Sequence, residues 1–574
     1  MATHRVNRRL TYEQAIRAIL EGAGESSDEE GVFPSEEVVP AAGDMERVLD
    51  GNSEREDIDV DDDGDLEIFE EDDRRSVSSA DETSEEDQCE VSASGILYSR
   101  EPPTERRRAR NIINFEQRPR NLAHVSSELE ALLLFLPEEQ LRVILRHTNR
   151  KCQDVSRQRQ QVIPSFSYEE FLACLGVLIR LGSDRDNFTS LDDIWSVQNG
   201  RPFYRAVISR DRFKTFLNVL RFDNYRTRAQ RLPNDRLAAI SEIWNVFIQG
   251  LRRVYIPGFV LTVDEQLLGY RGRVPGRSYM PAKPRKYGLK IFWSCEAGTV
   301  FALNGSIYTG RGINEPVHRN LGEDIVTQLT EPYFGSNREI VTDNFFTSHS
   351  LAVSLLSHGL TLLGTIRKQR REVPTTLRQK MPQYNSVFLY DHDNKITLVS
   401  YAPTRNRVVL LLSSSHGRGS IAAEDEHKRP EIILDYNRGK GGADQMDENV
   451  EEFSCVRKTV RWPLLVFFNM INVACNNAFV FMTRDGYSKT KKQFLREVSL
   501  LLSTPFAKER HRRNRSFQRH IVTAAQIFGF EPTDVITPPA KQQVGRCHLC
   551  STPSRSSCDK VWTICLPQAQ RDPV

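Results

Sequence analysis

A chain of 574 residues that is 39% hydrophobic can bury a large core, and at about 150 residues per domain it holds roughly three or four domains. Ten cysteines are too few for a disulfide scaffold, and the six that stand singly (Cys89, Cys152, Cys174, Cys295, Cys455, Cys475) fit a reduced intracellular protein. The net charge of +1 averages over segregated charge, with 13 acidic residues and one basic residue between Glu54 and Asp73 and clusters of Arg and Lys elsewhere; an acidic tail on a basic body predicts an interaction tail and a polyanion-binding body.

Residues 1–112 are poor in apolar side chains and rich in Asp, Glu, Ser and Arg. They bury too little surface to offset ordering entropy and are expected to be disordered. The start, MATHRVNRRLTYEQ, lacks the apolar core of a signal peptide. From residue 113 the pattern turns helical. SELEALLLFLPEEQLRVILRHTN places apolar residues on a helical repeat broken at Pro137, and SYEEFLACLGVLIRLG opens with a capping box, Ser167 with Glu170. RDRFKTFLNVLRF and RLAAISEIWNVFIQGLRRVY continue the repeat, which makes 113–258 an α-helical domain.

At Val260 the period changes. FVLTVDEQLL, YGLKIFWSCE and TVFALNGSIYTG read as three strands, followed by helix GEDIVTQLTEPYF, strand REIVTDNFF, helix SHSLAVSLLSHG and strand TLLGTIRK. Three antiparallel-type strands and then α-β-α-β, over 259–369, is by analogy the order of an RNase H-like core in an α/β protein. Its last helix is expected in 431–453, from GGADQMDENVEEF, and the intervening 370–430 reads as a β insertion domain. Helices return over 454–530. Within them Trp462 to Thr483 is 22 residues without a charge, but Asn469, Asn472, Asn476 and Asn477 would be costly facing lipid. A buried helix, with no membrane partner, is predicted. A linker at 531–544 leads to a short cysteine-rich tail at 545–574.

Three acidic motifs stand out: VDEQ at Asp264, TDNFF at Asp343, and GGADQMD with Asp444 and Asp447. Each has an ordinary use. A strand-end Asp caps a turn, and Asp444 after two glycines suits a helix N-cap. Asp447, three residues on, shares a helix face with Asp444. Gathered from elements 79 and then 101 residues apart, these carboxylates would hold hard cations. Mg²⁺ takes few carboxylates plus waters and phosphate oxygens. Two such ions about 4 Å apart stabilise both the attacking and the leaving oxygen of a phosphoryl displacement.

Basic runs follow two of the motifs. Arg271, Arg273, Arg277, Lys283, Arg285, Lys286 and Lys290 come after the first, and Arg367, Lys368, Arg370 and Arg371 come after a core strand. A solvated face is one use for them; beside carboxylates they also suit a phosphate backbone, bound through charge and counterion release. Tyr279, Tyr287 and Trp462 can stack on bases or pack inside. In the tail, Cys547, Cys550, Cys558 and Cys565 are spaced C-x2-C-x7-C-x6-C, which favours one Zn²⁺ over redox chemistry.

The ordered motifs LTVDEQLLGYRGRVPGRSYMPAKPRKYGLKI, VTDNFFTS, GTIRKQRREVP, YNRGKGGADQMDENV and SCVRKTVRWPLLVFFNMINVACNNAF, with SRDRF at 209–213, resemble those of the piggyBac-type transposases over about residues 120–530. The resemblance implies a cut-and-paste DNA transposase with an RNase H-like core. Asp264, Asp343 and Asp444 would be catalytic on two Mg²⁺ (or Mn²⁺) ions, with Asp447 as a fourth carboxylate and Trp462 beside them. It further implies nicking of a transposon end, a hairpin made by the freed 3′-OH, and joining to TTAA target DNA. The implied setting is a nuclear homodimer on double-stranded DNA, with an all-helical DNA-binding and dimerisation domain split over 113–258 and 454–530. Family members commonly end in a cross-brace with two zinc ions; here Val561 stands where a further cysteine is expected. The rival expectation is a domesticated relative that binds DNA or chromatin without transposing.

Overall fold

The computed structural model describes residues 89–103, 120–281, 283–310, 320–514 and 516–530, with two short backbone strands at 545–546 and 553–554. Among the described residues, eleven strands form one mixed sheet. In chain order they are β1 (Cys89–Val91), β2 (Leu97–Ser99), β3 (Val260–Gly269), β4 (Arg277–Tyr279), β5 (Tyr287–Glu296), β6 (Ala302–Ile307), β7 (Glu339–Thr342), β8 (Thr361–Thr365), β9 (Ser386–Asp391), β10 (Ile396–Thr404) and β11 (Arg407–Ser413). Their spatial order is β1-β2-β9-β10-β11-β8-β7-β3-β5-β4, with β6 also on β5.

β3, β5 and β6 make an antiparallel meander, with Asp264 opposite Trp293 and Ile291 opposite Ile307. β7 then joins β3 in parallel, and β8 joins β7 in parallel. Parallel neighbours need crossover connections. The helices Leu321–Thr330 and His349–Ser357 lie in the links that lead into β7 and β8. β5 is buried along nearly its whole length, so it shows no polar alternation, and Lys290, Ser294 and Glu296 are buried within it.

Residues 370–430, expected as an insertion domain, extend this same sheet: β11 pairs antiparallel with β8, and β9 and β10 follow outward. A second correction concerns residues 89–103, expected within a disordered tail. They form the hairpin β1–β2 on the outer strand β9. Tyr98 is fully buried, and its hydroxyl donates to the Glu372 carbonyl at 3.1 Å. Ile96 packs beside it against the core. Two inward apolar side chains in a polar stretch are enough once an open strand edge is available. Residues 1–88, 104–119 and the four tail cysteines, with the expected zinc site, lie outside the described residues.

The longer helices are α1 (Glu138–Arg159), α2 (Tyr168–Ser183), α3 (Arg210–Val219), α4 (Ser241–Arg253), α5 (Leu321–Thr330), α6 (His349–Ser357), α7 (Glu431–Gly439), α8 (Gly442–Glu452), α9 (Trp462–Arg484), α10 (Lys491–Arg513) and α11 (Arg519–Ile527). The capping box predicted at α2 is half made. Ser167 Oγ accepts from the Glu170 amide at 3.1 Å, but the Glu170 carboxylate turns to Arg212 at 2.7 Å. α2 packs closely on α10, although more than 300 residues separate them in sequence: a Cβ at Gly176 would stand 2.5 Å from Ser503 Oγ and 2.8 Å from the Ser499 carbonyl.

α9 is long and apolar enough to cross a membrane, with a mean hydropathy of 1.7, yet 89% of its apolar window is buried inside the protein. Its asparagines are the physical reason it belongs there. Asn477 accepts from the Ala302 amide at 3.0 Å and donates to the Ala302 carbonyl at 2.8 Å. Asn472 accepts from the Cys455 amide, Asn476 accepts from Lys491, and Asn469 donates to Gln266. Buried amides are tolerated because each one is bonded.

Candidate active site

Two parallel strands and one helix carry the acidic residues. In the β3–β7 ladder Val263 is opposite Thr342, so Asp264 and Asp343 are the next residues along adjacent strands. The Asp343 side chain accepts from the Phe345 amide at 3.1 Å, and its carbonyl accepts from the Thr347 hydroxyl at 2.7 Å. This local turn ends β7 at the acid. Asp264 Oδ1 accepts from the Glu265 amide at 2.8 Å.

The helical acids arrive through glycines. Thr262 Oγ1, two residues before Asp264, donates to the Gly439 carbonyl at 2.5 Å. A Cβ at Gly442 would lie 2.9 Å from Ala297 Cα and 3.0 Å from Thr262 Oγ1. Because Gly442 has none, α8 rests directly on the backbone of the sheet. Asp444 then falls in its first turn and Asp447 in the next.

Lys283 Nζ is 3.8 Å from Asp444 Oδ1. Although burial lowers the Lys283 pKa, the charges of Asp444, Asp264, Glu265 and Asp447 raise it overall. The same crowding acts on the acids. Burial, then the Glu265 and Asp444 charges, push Asp264 up to about 8 against the opposing Glu265 amide and Lys283. Burial pushes Asp447 up to about 6, opposed by a hydrogen bond from Gln266 and assisted by Glu451 and Asp444.

The structure thus brings Asp264, Asp444 and Asp447 around one ammonium, with Asp343 beside Asp264 by strand register. Among the described residues no three His, Cys, Asp or Glu side chains already form a metal-holding group. Repelling carboxylates converge here around Lys283 rather than as a closed cage.

The basic residues divide by exposure. Arg271, Arg273, Arg277, Arg285, Lys286 and Arg371 are exposed, and Lys283, Arg367, Lys368, Arg370 and Trp462 are half-buried. Arg285 lies 3.9 Å from Glu451 of α8. Arg371 donates to the Ala93 carbonyl of the N-terminal hairpin at 3.1 Å. Lys290 departs from the run it belongs to in sequence, which suits a solvated face or a phosphate backbone. It is buried in β5, its ammonium 5.4 Å from the Phe345 ring centroid and 5.5 Å from that of Phe292. Tyr279 and Tyr287 pair directly across β4 and β5 with rings 4.7 Å apart, and they are 48% and 47% exposed.

A family model described as Transposase IS4 matches residues 127–479. A piggyBac transposase synaptic complex with hairpin DNA, solved by cryo-EM, matches with a TM-score of 0.68 at 33% identity over 76% of this chain and 94% of that one. The chain belongs to the piggyBac transposase family. Human piggyBac transposable element-derived protein 3 is 25% identical over 371 residues, 60% of this chain and 59% of that protein. A human chimeric ERCC6-PGBD3 protein is 25% identical over the same length, 33% of its own. The chain therefore spans less than two thirds of the length of either curated relative.

For a piggyBac-family protein the donor chemistry fits a hard divalent cation: several carboxylates, crowded enough that two are driven toward protonation, and oxygen ligands of this kind suit Mg²⁺ or Mn²⁺. Sequence reasoning missed Gln266, whose amide Nε2 donates to Asp447 Oδ1 at 2.5 Å. The signal was present. Residues i and i+2 of a strand share a face, so Thr262, Asp264 and Gln266 lie on one face of β3, which α8 meets at Thr262 through Gly442 and at Gln266 through Asp447. Trp293 and Asn469, which bind Gln266 in turn, had no local signal.

Proposed function

We propose that this protein is a DNA transposase whose RNase H-like core cuts and joins phosphodiester bonds at the ends of a mobile element. Asp264, Asp343 and Asp444 would hold two Mg²⁺ (or Mn²⁺) ions, with Asp447 as the fourth carboxylate. The observation that carries this reading is the pairing of Val263 with Thr342, which makes Asp343 the neighbour of Asp264, together with α8 seated on Thr262 and Ala297 beside them. The strand order β6-β5-β3-β7-β8, three antiparallel and two parallel, supports the RNase H-like assignment.

When bound, the ions would activate a water or 3′-OH and steady the leaving oxygen. The chain's own residues do the rest. Lys283 offsets the carboxylates before substrate arrives. Arg271, Arg273, Arg277, Arg285 and Lys286 neutralise backbone phosphates, a sequence-independent attraction. The exposed Tyr279 and Tyr287 offer stacking faces, and Trp462 begins the helix next to the site. The relative with a solved synaptic complex contains hairpin DNA, which supports a hairpin intermediate here. Recognition of TTAA, action as a homodimer on double-stranded DNA in the nucleus, and a DNA-binding domain split over 113–258 and 454–530 belong to the same proposal; the packing of α2 on α10 supports the last.

The test is incubation of purified protein and Mg²⁺ with a labelled, TTAA-flanked transposon end. Nicking followed by hairpin product is expected from the wild type and none from Asp264→Asn; cleavage that survives in Asp264→Asn refutes the assignment. The second reading, a domesticated DNA-binding protein, is favoured by the curated relative named as transposable element-derived. It predicts end binding without a cut strand in the same assay.

A further inference from the structure

A fully buried polar chain runs from the helical part of the fold to the acidic cluster. Gln266, Trp293 and Asn469 are 2%, 0% and 1% exposed. The Gln266 Oε1 atom accepts from Trp293 Nε1 at 3.0 Å and from Asn469 Nδ2 at 2.8 Å. Its Nε2 donates to Asp447 Oδ1 at 2.5 Å.

This arrangement admits one orientation of the amide. A flipped Gln266 would turn its NH₂ toward two N–H donors and its oxygen toward a carboxylate, leaving buried groups unpaired at both ends. With the amide locked, Asp447 has one oxygen committed to the protein, and Oδ2 remains for the carboxylate cluster. The chain also links two distant parts of the fold. Asn469 lies seven residues after Trp462 on α9, two turns along the same helical face. The other end of α9 is tied to the β5–β6 turn, where Asn476 donates to the Val300 carbonyl and Asn477 pairs with Ala302.

We infer that Gln266 is a positioning residue that presents Asp447 to the metal site through one oxygen, and that Asn469 and Trp293 fix Gln266, so that the seating of α9 sets the geometry of that acid. The inference rests on the function proposed above. Residues that orient a metal-binding group typically contribute about 10- to 100-fold in affinity or activity.

The experiment uses full-length protein with three readouts: Mn²⁺ binding by electron paramagnetic resonance, thermal midpoint, and cleavage of a labelled transposon end. Gln266→Met should keep DNA-end affinity, while Mn²⁺ affinity and cleavage fall about tenfold or more. Gln266→Glu combined with Asp447→Asn reverses donor and acceptor. That pair should recover the midpoint lost in Gln266→Glu alone but not Mn²⁺ binding. Should Gln266→Met fail to fold, Trp293→Phe removes one donor while keeping a packed ring, and Mn²⁺ binding should weaken with the midpoint close to wild type.

Equal Mn²⁺ affinity in wild type and Gln266→Met (or Trp293→Phe), or Mn²⁺ binding recovered by the reversed pair, overturns the inference. So does a wild type that binds no Mn²⁺. A wild type that binds Mn²⁺ but leaves ends uncut overturns the proposed function instead, and the Mn²⁺ comparison still decides the role of Gln266.

Discussion

Replacing Gly442 by alanine adds one methyl group 2.9 Å from Ala297 Cα and 3.0 Å from Thr262 Oγ1. Ordinary carbon–carbon contact is about 3.5–4.0 Å, so α8 must lift off the sheet by roughly half an ångström or more. The atoms in the way are mainly backbone and cannot rotate aside. Overpacking of this kind costs about 1–3 kcal/mol of stability. The functional cost should be larger in proportion, because α8 carries both Asp444 and Asp447, and a misplacement of about 1 Å can cost about a hundredfold in rate. Gly441→Ala is the matched control. A methyl there meets nothing nearer than the Gln445 side chain at 4.0 Å, and its backbone, at φ −81° and ψ 1°, is open to any residue. Cleavage of a labelled transposon end, paired with urea denaturation, reads both effects. Gly442→Ala should lose about ten- to a hundredfold in cleavage while Gly441→Ala stays near wild type. If both variants cut DNA like wild type, the close seating of α8 is not what positions the acids.

Two further outcomes follow from charge. Asp264, with an ordinary pKa of 3.8, is raised to about 8 in the fold, and Asp447 to about 6. Between those limits the unfolded chain has released protons that the folded one keeps, so metal-free stability should fall as pH rises from about 4 to 8; thermal melts of wild type against Asp264→Asn should show a flatter profile in the variant, and identical slopes would contradict the crowding of acids at this site. On the basic face, Arg273→Ala should lower the slope of log affinity against log salt by about 1, measured by fluorescence anisotropy on labelled DNA. Lys290→Met should leave that slope unchanged, since its ammonium is buried against Phe292 and Phe345; a reduced slope would place Lys290 on the DNA.

Local pattern on its own determined a good deal about this protein. The change from helical to strand period at Val260, the cap at Ser167, and an uncharged helix whose asparagines demand partners are all written in neighbouring residues, because period and polarity are short-range properties. The acids were visible as motifs for the same reason. Their assembly was not, since it depends on which strands pair, in which direction and in which register, across gaps of 79 and 101 residues. Only the tertiary structure decided that Val263 meets Thr342, that Gly439 lets α7 and Gly442 lets α8 sit close on the sheet, and that β9–β11 extend that sheet instead of standing apart. It also decided the side on which Lys290 falls: a strand buried on both faces shows no alternation, and a lysine within it carries no local mark of whether its ammonium meets water or aromatic rings.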